Sequence, residues 1–407
     1  MGDWNLTRLA LVAPFGLRPK ATVTARVLPL ARELRALGID ARVFVPPWDD
    51  PERSGASIEA SGVPVVHSRL GAGAPVLAYR LQREVTAFRP EVVHAFKPIG
   101  YSAVVGWASR LARPIGGGVP WVVDGDDWEG HGGWADTDRW GTLTRALISR
   151  QERWCYRHAD AVTAASDSLR ALAWSVGAAP ARSVLLPNGL SVPLDRPRPE
   201  DVATVAAQHA LGDATVLLYT RFAEFPPSWP ARMLVALRRR RPDALLLVVG
   251  RGLHGEEDSF LREAIALGVS DAVRYVGWLE EDRLAAHLSA AQVAIVPFAD
   301  TLIARTKSSV KLLELMSLGL PVVASAVGEN VPYLDYGRAG VLMPAPLDAD
   351  LWAAEVNRLL DDRQARSALS DAAAARVRNC YLWKHLAGGA LDAYALAAEH
   401  YRRRKRQ

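Results

Sequence analysis

A chain of 407 residues is long enough for two or three domains, each with a hydrophobic core of its own. Hydrophobic residues make up 50% and charged residues 23%, a composition typical of globular proteins that excludes a disordered or membrane-spanning chain. The net charge is +5, and the two cysteines, Cys155 and Cys380, are too few for a disulfide framework or a cysteine-bound metal cluster, which favours a reducing cytoplasm.

The two ends of the chain bear on the cellular location of the protein. Residues 8–14 (RLALVAP) form a hydrophobic run too short for a membrane span, and we expect a first strand there rather than an export signal. Residues 402–407 (RRRKRQ) are almost wholly basic. Two interpretations of this tail stay open, a solvated chain end or peripheral contact with an anionic membrane at its inner face. The basic run has no interleaved aromatic residues, so nucleic acid is not an expected partner.

Strand-like and helix-like segments alternate from the start. The first strand is followed by a loop containing Gly16, by a leucine-rich helix with Thr22 or Thr24 as candidate N-cap, and by a second strand at 41–45. This βαβ opening predicts a doubly wound sheet, whose ligands bind beyond the carboxyl ends of the strands. The loop lacks a GxGxxG dinucleotide fingerprint, so we expect Gly16 to line a cleft.

Further strands are expected at 91–95, 121–123, 161–164 and 184–186. Lys97 follows the strand at 91–95 and is well placed to face a ligand. His94 lies within that strand, where a core histidine is the simpler interpretation.

Residues 124–134 (DGDDWEGHGGW) combine acids, glycines and tryptophans directly after a strand. Glycines let a backbone approach a ligand closely, and the face of Trp128 suits a sugar ring. Asp126, Asp127 and His131 are candidates to orient an acceptor hydroxyl or take its proton. An acidic turn with ordinary N-caps and a weak metal site are the alternatives, and the composition favours a binding loop.

Residues 187–199 (PNGLSVPLDRPRP) are rich in proline and predict a linker between domains. A second alternating series follows, with strands at 215–219, 244–249, 273–276, 293–296, 322–324 and 341–343. Arg221 lies just beyond the first of these strands, and Gly250 and Gly252 lie just beyond the second. An arginine and glycine turns at one rim of a parallel sheet predict a phosphate-binding site.

The same rim carries a helix, predicted at residues 310–318, which Ser308 and Ser309 precede and Gly319 closes. Lys307, Lys311 and Glu314 fall within an arc of about 60° on this otherwise apolar segment. Their charges are costly to bury unless they are paired or bind a charged ligand. A Lys311–Glu314 pair one turn apart is the alternative to a phosphate site.

Several motifs resemble those of glycosyltransferase family 4. They are PNG (187–189), LLYTR (217–221), VVGRG (248–252), YVGWL (275–279) and, most specific, KLLELMSLGLPVVA (311–324). The resemblance covers almost the whole chain and is densest from 187 to 340. It implies the GT-B architecture, an α/β fold of two Rossmann-like domains whose parallel sheets face each other across a cleft.

The resemblance also implies an enzyme that transfers a hexosyl group from a nucleotide diphosphate sugar to an acceptor hydroxyl with retention at the anomeric carbon. The acceptor would be a glycan, a lipid-linked sugar or a small molecule, in polysaccharide, glycolipid or other cell-envelope glycan synthesis. No metal or cofactor is implied. The residues matching the donor site are Arg221, Gly250, Gly252, Gly277, Lys307, Ser308, Ser309, Val310, Lys311 and Glu314, with Glu314 on the ribose and also among the catalytic candidates. Asp126, Asp127 and His131 would be the catalytic residues on the acceptor side, with Gly16, Lys97 and Trp128 beside them.

Two departures from the family pattern matter. The family's E-x7-E motif has its first glutamate at the position that Thr306 occupies here, and the lysine that normally follows the arginine is replaced by FPPS (225–228). Alternatives of the same fold are therefore an inactive nucleotide-sugar-binding protein and a non-hydrolysing epimerase. The predicted domains are an acceptor-binding domain at 1–187, a donor-binding domain at 188–380, and a helix with the basic tail at 381–407 that packs back toward the first domain.

Overall fold

The computed structural model describes residues 6–17, 22–71, 73–113, 118–137 and 140–405. The chain forms two compact units. The first comprises Met1–Ser191, Thr306–Ser308 and Trp383–Gln407, and the second comprises Val192–Arg305 and Ser309–Leu382. The predicted boundary at 187/188 lies within the linker that ends the first unit, and the chain returns to that unit near the predicted start of its C-terminal segment.

The first unit contains a sheet that is parallel except at one edge. Its strands are β1 (Arg8–Val12), β2 (Asp40–Val45), β3 (Ser57–Ala60), β4 (Val63–His67), β5 (Val92–Phe96), β6 (Trp121–Gly125), β7 (Ala161–Ala164) and β8 (Ser183–Leu185). Among the described residues the order is β3-β4-β2-β1-β5-β6-β7-β8, with β3 antiparallel to β4. The order reverses beside β1, so the loops after β1 and β5 flank the point where ligands bind in such sheets.

Helices cover both faces of this sheet. They are α1 (Leu28–Ala36), α2 (Ala74–Phe88), α3 (Gly100–Leu111), α4 (Trp134–Thr137), α5 (Thr142–His158) and α6 (Asp167–Ser175). A π-helical turn, Val23–Val27, leads into α1. The last helix of the chain, Trp383–Lys405, also packs here, against α1, β6, β7 and β8. Its Trp383 and Tyr394 side chains are fully buried in the core of this unit.

The second unit contains a parallel sheet with the order β11-β10-β9-β12-β13-β14 in the described residues. Its strands are β9 (Thr215–Tyr219), β10 (Leu245–Val249), β11 (Val273–Gly277), β12 (Val293–Val296), β13 (Val322–Ser325) and β14 (Val341–Met343). The helices between and after them are α7 (Pro199–Gln208), α8 (Trp229–Arg238), α9 (Glu256–Ala266), α10 (Glu281–Ser289), α11 (Leu302–Thr306), α12 (Val310–Leu318), α13 (Asn330–Tyr333), α14 (Ala349–Asp361) and α15 (Arg363–Cys380). The C-terminal helix Trp383–Lys405 is α16. The apolar runs predicted as strands pack between these helices because both faces of a parallel sheet are covered.

Most predicted elements are present, with ends shifted by a residue or two. The hairpin of β3 and β4 was not predicted, because β3 alternates between exposed and half-buried residues and β4 is a short strand with a proline. The prediction that Thr22 or Thr24 caps the first helix is wrong, since the π-helical turn has no side-chain cap and the Thr22 hydroxyl donates to Asp126 instead. Among the described residues, no helix is both long enough and apolar enough to cross a membrane.

Candidate active site

In the second unit, Lys311 and Glu314 lie on α12 beside Tyr219, the last residue of β9. The Tyr219 hydroxyl donates a hydrogen bond to the Glu314 carboxylate. The Lys311 Nζ lies 5.5 Å from the centroid of the Tyr219 ring. Burial raises the pKa of Glu314, and the opposing effects of Lys311 and of the Tyr219 hydroxyl do not cancel it. Tyr219 therefore joins the two charged residues, a role that the apolar strand motif LLYTR did not reveal.

The amino end of α12 is shaped as the sequence predicts. The Ser309 hydroxyl accepts from the Leu312 N–H at 3.4 Å, and Gly319 ends the helix with a φ of 74°. A small cavity of about 20 Å³ lies at this end of the helix. Its lining includes Tyr219, Thr220 and Pro297, from the carboxyl ends of β9 and β12, together with Ser309 and Lys311. Backbone N–H groups, a lysine and the positive end of the helix dipole thus converge where an anion is stabilised.

Arg221 lies two residues beyond β9 and has an aromatic neighbour. Its guanidinium carbon is 5.5 Å from the centroid of the Trp278 ring, and that ring is exposed. Trp278 follows Gly277, which has a φ of 77° and ends β11. A guanidinium group that stacks on an aromatic face keeps its N–H groups available for an anion that lies in the plane of the guanidinium.

The glycines beyond β10 are required by the backbone. Gly250 has a φ of 122°, and a Cβ there would overlap the Thr220 carbonyl oxygen. The Gly250 N–H donates to the Gly277 carbonyl at 2.7 Å, so the ends of β10 and β11 are held together. A Cβ at Gly252 would overlap the carboxylates of Glu256 and Glu257. These turns bring bare backbone to the carboxyl edge of the sheet.

Lys307 and Ser308 are grouped with the first unit, whereas the residues on α12 belong to the second unit. The segment Thr306–Ser308 belongs to the first unit, where the Lys307 Nζ lies 5.7 Å from the centroid of the Trp134 ring. The Ser308 hydroxyl accepts from the Asn188 N–H, and the Ser308 carbonyl accepts from the Asn188 side-chain amide, both at 2.9 Å. The arc predicted for Lys307, Lys311 and Glu314 assumes that the turn before the helix continues its geometry. It is wrong for Lys307, because the helix begins at Val310 and Lys307 lies outside it. Thr306 is buried.

In the first unit, three carboxylates surround the Lys97 ammonium group. Asp126 Oδ1 and Asp127 Oδ2 lie 3.0 and 3.1 Å from Lys97 Nζ, and the Glu129 carboxylate accepts a hydrogen bond from it. We call these four residues the carboxylate cluster. Burial lowers the pKa of Lys97, but the three carboxylates outweigh burial and raise it well above its ordinary value. The lysine is therefore charged, and it offsets part of the repulsion among the acids.

The three carboxylates are also close enough to each other to ligate a cation. One oxygen from each of Asp126, Asp127 and Glu129 lies within 4.8 Å of the others. The Lys97 ammonium group contacts all three carboxylates in this arrangement. A divalent ion would have to compete with it, so the donor set fits a fixed ammonium better than a metal.

Glu152, on α5, holds the loop that carries this cluster. Its two carboxylate oxygens accept from the N–H groups of Glu129 and Gly130 at 2.9 and 2.8 Å. Burial raises the pKa of Glu152 to about 8, although these two hydrogen bonds oppose the change. Neither Glu129 nor Glu152 was predicted as a site residue. Nothing in the helical pattern of α5 marks Glu152 as inward-facing and functional.

Two acceptor-side predictions need correction. Trp128 is 4% exposed, stacks on Tyr156 at 6.2 Å between ring centroids, and donates from Nε1 to the His131 carbonyl. Its ring is thus part of the packing and does not present a face to a sugar. The His131 side chain is 84% exposed and pairs with Asp136 at 3.1 Å. It therefore faces solvent and pairs with an acid outside the carboxylate cluster.

Gly16 lies beyond β1 and its N–H donates to Asp49 Oδ1 at 2.7 Å. A Cβ at Gly16 would be 3.1 Å from that same oxygen, so the close approach of the two loops favours glycine. Residues 18–21 of the same loop lie outside the described part of the chain.

A buried polar network lies beneath the carboxylate cluster. Arg26 makes two hydrogen bonds to the Asp124 carboxylate at 2.6 and 2.7 Å and a third to the Asn188 side chain at 3.0 Å. Thr163 donates to the same carboxylate at 2.6 Å, and the His94 ring contacts both Thr163 and the Tyr394 hydroxyl. Burial lowers the pKa of His94 well below its ordinary value, with Arg26 adding to the effect, so His94 is a neutral core residue.

Two family models match the chain, one to each half. A glycosyl transferase 4-like domain matches residues 21–189, and a glycosyl transferases group 1 domain matches residues 224–362. The D-inositol 3-phosphate glycosyltransferase of Geodermatophilus obscurus is 31% identical over 68% of this chain and 67% of its own length. The phosphatidyl-myo-inositol mannosyltransferase of Mycobacterium leprae is 27% identical over 96% of this chain and 97% of its own.

Solved structures show the same fold. Sucrose-phosphate synthase from Thermosynechococcus elongatus superposes with a TM-score of 0.71 at 22% identity, covering 96% of this chain and 98% of that one. Anabaena HepE in complex with UDP and glucose has a TM-score of 0.72 at 19% identity, covering 96% of this chain and all of that one (100%). The predicted fold class is confirmed, and the chain belongs to the glycosyltransferases of the GT-B fold, with a family 4-like first half and a group 1 second half.

Proposed function

We propose that this glycosyltransferase takes a sugar from a nucleotide diphosphate sugar and transfers it with retention at the anomeric carbon. The observation that carries the donor assignment is the anion site of the second unit, where Lys311 and the amino end of α12 meet the carboxyl ends of β9 and β12. Arg221, stacked on Trp278, adds a guanidinium beyond β9. Such groups stabilise the charge that develops on a leaving diphosphate. The complex of Anabaena HepE with UDP and glucose supports the assignment.

The remaining donor contacts follow from this site. Glu314, aligned by the Tyr219 hydroxyl, accepts hydrogen bonds from the ribose hydroxyls, and Lys311 beside it opposes the rise of the Glu314 pKa that burial causes. The backbone at Gly250, Gly252 and Gly277 lies against the nucleoside. Ser309 and Val310, at the amino end of α12, complete the diphosphate contacts.

On the acceptor side we assign the chemistry to the carboxylate cluster. Asp126 and Asp127 orient the acceptor hydroxyl and receive its proton, while Lys97 holds them in place. Because an ammonium group contacts all three carboxylates, the reaction proceeds without a metal or other cofactor. Removal of divalent ions with a chelator therefore leaves the rate unchanged.

The names of the relatives suggest the acceptors to test first. They include an enzyme of D-inositol 3-phosphate and a mannosyltransferase of phosphatidyl-myo-inositol, so inositol-containing acceptors are the first choice. We place the reaction in the cytoplasm, in the synthesis of a glycolipid, polysaccharide or other envelope glycan. Arg402–Lys405, the exposed end of α16, contacts an anionic membrane in this proposal, and residues 406–407 lie outside the described part of the chain.

The test is release of nucleotide diphosphate from UDP-, GDP- and ADP-sugars in the presence of inositol, inositol phosphates or phosphatidylinositol. Arg221→Ala and Glu314→Ala should each lower kcat/KM about 100-fold or more, because each removes a charged group that contacts the donor. The matched controls are Arg232→Ala and Glu263→Ala, a surface ion pair of the same unit, which should retain wild-type rates.

Unchanged release in both site variants would overturn the donor assignment. Saturable nucleotide-sugar binding without turnover on any acceptor would favour an inactive binding protein, for which the buried Thr306 in place of a glutamate is the specific observation. An epimerised nucleotide sugar would instead identify an epimerase. The anomeric configuration of the product, read by proton NMR, tests retention.

A further inference from the structure

One face of α5 is exposed along its whole length and changes character from one end to the other. Its exposed positions after the first residue, here called the α5 stripe, are Leu143, Ala146, Leu147, Arg150, Arg153 and Arg157. At about 100° per residue they span an arc of about 120°. The opposite face is buried, with Glu152 and Tyr156 among its residues. The stripe is therefore apolar toward the start of the helix and basic toward its end.

The apolar end is unusually exposed for leucine. Leu143 is 87% and Leu147 is 53% exposed, and Trp140, just before the helix, is 49% exposed. Isolated apolar side chains on a surface need no explanation, but two leucines one turn apart beside a tryptophan form a patch. Such a patch loses contact with water when it enters an apolar surface.

The basic end has no counter-charge among the residues that the structure describes. Arg150, Arg153 and Arg157 are exposed and form no ion pair among the described residues. The single acid of α5, Glu152, is buried and accepts from the backbone of the loop beneath. Arg145 lies outside the stripe and pairs with Asp136 at 3.6 Å. The stripe thus carries only positive charge.

We propose that the α5 stripe binds the surface of an anionic membrane, with the leucines in the acyl boundary and the arginines on lipid phosphates. Exposed leucines beside arginines, with Trp140 just before the helix, offer the apolar and basic groups through which interfacial helices bind anionic lipid. Each arginine near an anionic surface adds an electrostatic attraction, which salt weakens. The contact is peripheral and differs from the basic tail on α16.

A second copy of this chain fits the stripe less well. In an antiparallel pairing the leucines of one stripe would meet the arginines of the other, and in a parallel pairing arginines would face arginines. Both arrangements leave the positive charge uncompensated, which disfavours association. An anionic lipid surface satisfies both ends of the stripe at once.

The position of α5 connects the stripe with the acceptor side. The inner face of this helix holds the loop of the carboxylate cluster through Glu152 and through Ser149, whose hydroxyl accepts from the His131 N–H at 2.8 Å. A helix lying on the membrane would therefore keep that loop close to the lipid headgroups. This link to a lipid-borne acceptor rests on the proposed function, whereas the membrane contact itself does not.

The experiment is co-sedimentation of the full chain with vesicles of phosphatidylcholine alone or mixed with phosphatidylglycerol. We expect binding to the anionic vesicles that high salt weakens. The double variant Leu143→Ser/Leu147→Ser should lower the binding constant about tenfold or more through lost apolar burial. Arg150→Gln/Arg153→Gln should lower it by a similar factor through lost attraction to the headgroups. The matched control is Ile265→Ser/Leu351→Ser, at exposed apolar positions of α9 and α14, and Arg403→Gln/Arg404→Gln measures the separate contribution of the tail.

Absence of wild-type binding to anionic vesicles would overturn the proposal, as would stripe variants that bind like wild type. Loss of binding in the tail variant alone would assign the contact to α16 instead. A dimer in solution that the leucine variant dissociates would show that a second copy occupies the stripe. Transfer to water-soluble inositol phosphate should be unchanged in the leucine variant, so failure of the membrane contact is distinguishable from failure of the proposed reaction.

Discussion

Glu152 shows how a single buried residue connects stability with the acceptor side. Its carboxylate accepts from two consecutive N–H groups of the loop that carries the carboxylate cluster, and it has no exposed surface. Its pKa rises from 4.5 to about 8, with burial as the main cause. The folded protein therefore keeps a proton that the unfolded chain releases within this pH range.

Stability should consequently fall as the pH rises between about 4.5 and about 8. In this range the unfolded state binds fewer protons than the folded state, so this one group lowers the free energy of unfolding by up to about 1.4 kcal/mol per pH unit. Glu152→Gln removes the titration and should flatten the dependence, although its amide leaves one loop N–H poorly paired. Thermal unfolding of both proteins across this range measures the difference.

Glu399→Gln, at an exposed position of α16, is the matched control and should keep the wild-type pH dependence. Parallel stability profiles of wild type and Glu152→Gln would show that Glu152 does not hold this proton.

At the scale of elements, the carboxyl edge of the second sheet, where we place the donor, depends on turns in which one backbone segment lies close to another. Gly250 ends β10 with its N–H on the Gly277 carbonyl, and a side chain at Gly250 would overlap the Thr220 carbonyl. Gly268, which follows α9, also has a positive φ, of 69°, but nothing lies within 4 Å of a Cβ there. Comparing alanine variants at the two glycines therefore distinguishes the effect of backbone strain from the effect of steric overlap.

Gly268→Ala should cost about 1 kcal/mol of stability, the usual cost of a positive φ in alanine. Gly250→Ala should cost about 3 kcal/mol and weaken nucleotide binding at least tenfold, because a Cβ there would force the ends of β9 and β10 apart. Denaturant unfolding and calorimetric titration with UDP, GDP and ADP check both values. Equal stabilities of the two variants would refute the steric argument.

At the scale of the whole molecule, the end of the chain completes the core of its beginning. Trp383 and Tyr394 of α16 are buried among residues of β1, β6 and α1, and the Tyr394 hydroxyl lies 2.9 Å from His94 Nδ1. The first unit therefore depends on a segment that begins about 200 residues after the linker in the sequence.

Tyr394→Phe should lower the free energy of unfolding by about 1–3 kcal/mol, because it leaves a ring nitrogen of His94 buried with one hydrogen-bond partner fewer. Tyr336→Phe, at an exposed position, is the control and should be neutral within about 0.5 kcal/mol. Hydrogen exchange should localise the effect to β5, β7 and α16. An effect of Tyr394→Phe no larger than that of the control would contradict a stabilising role for this contact.

The sequence by itself determined the fold class, the strand series and the motif helix α12 with its serine cap and closing glycine. Apolar periodicity, glycine at positive φ and N-cap chemistry are local properties, and they predicted these elements to within a residue or two. The hairpin of β3 and β4 was not predicted because β3 has no buried residue and β4 contains a proline, so neither shows a clear strand signal in the sequence.

Only the tertiary structure decided which polar residues meet. It placed Lys97 among three carboxylates, Tyr219 between Lys311 and Glu314, and Glu152 beneath the acidic loop. It also buried Trp128 and turned His131 outward, against the prediction from composition. Contacts between residues distant in the chain depend on strand order and helix packing, which no local pattern encodes. The motifs therefore located the site, and the packing assigned its residues.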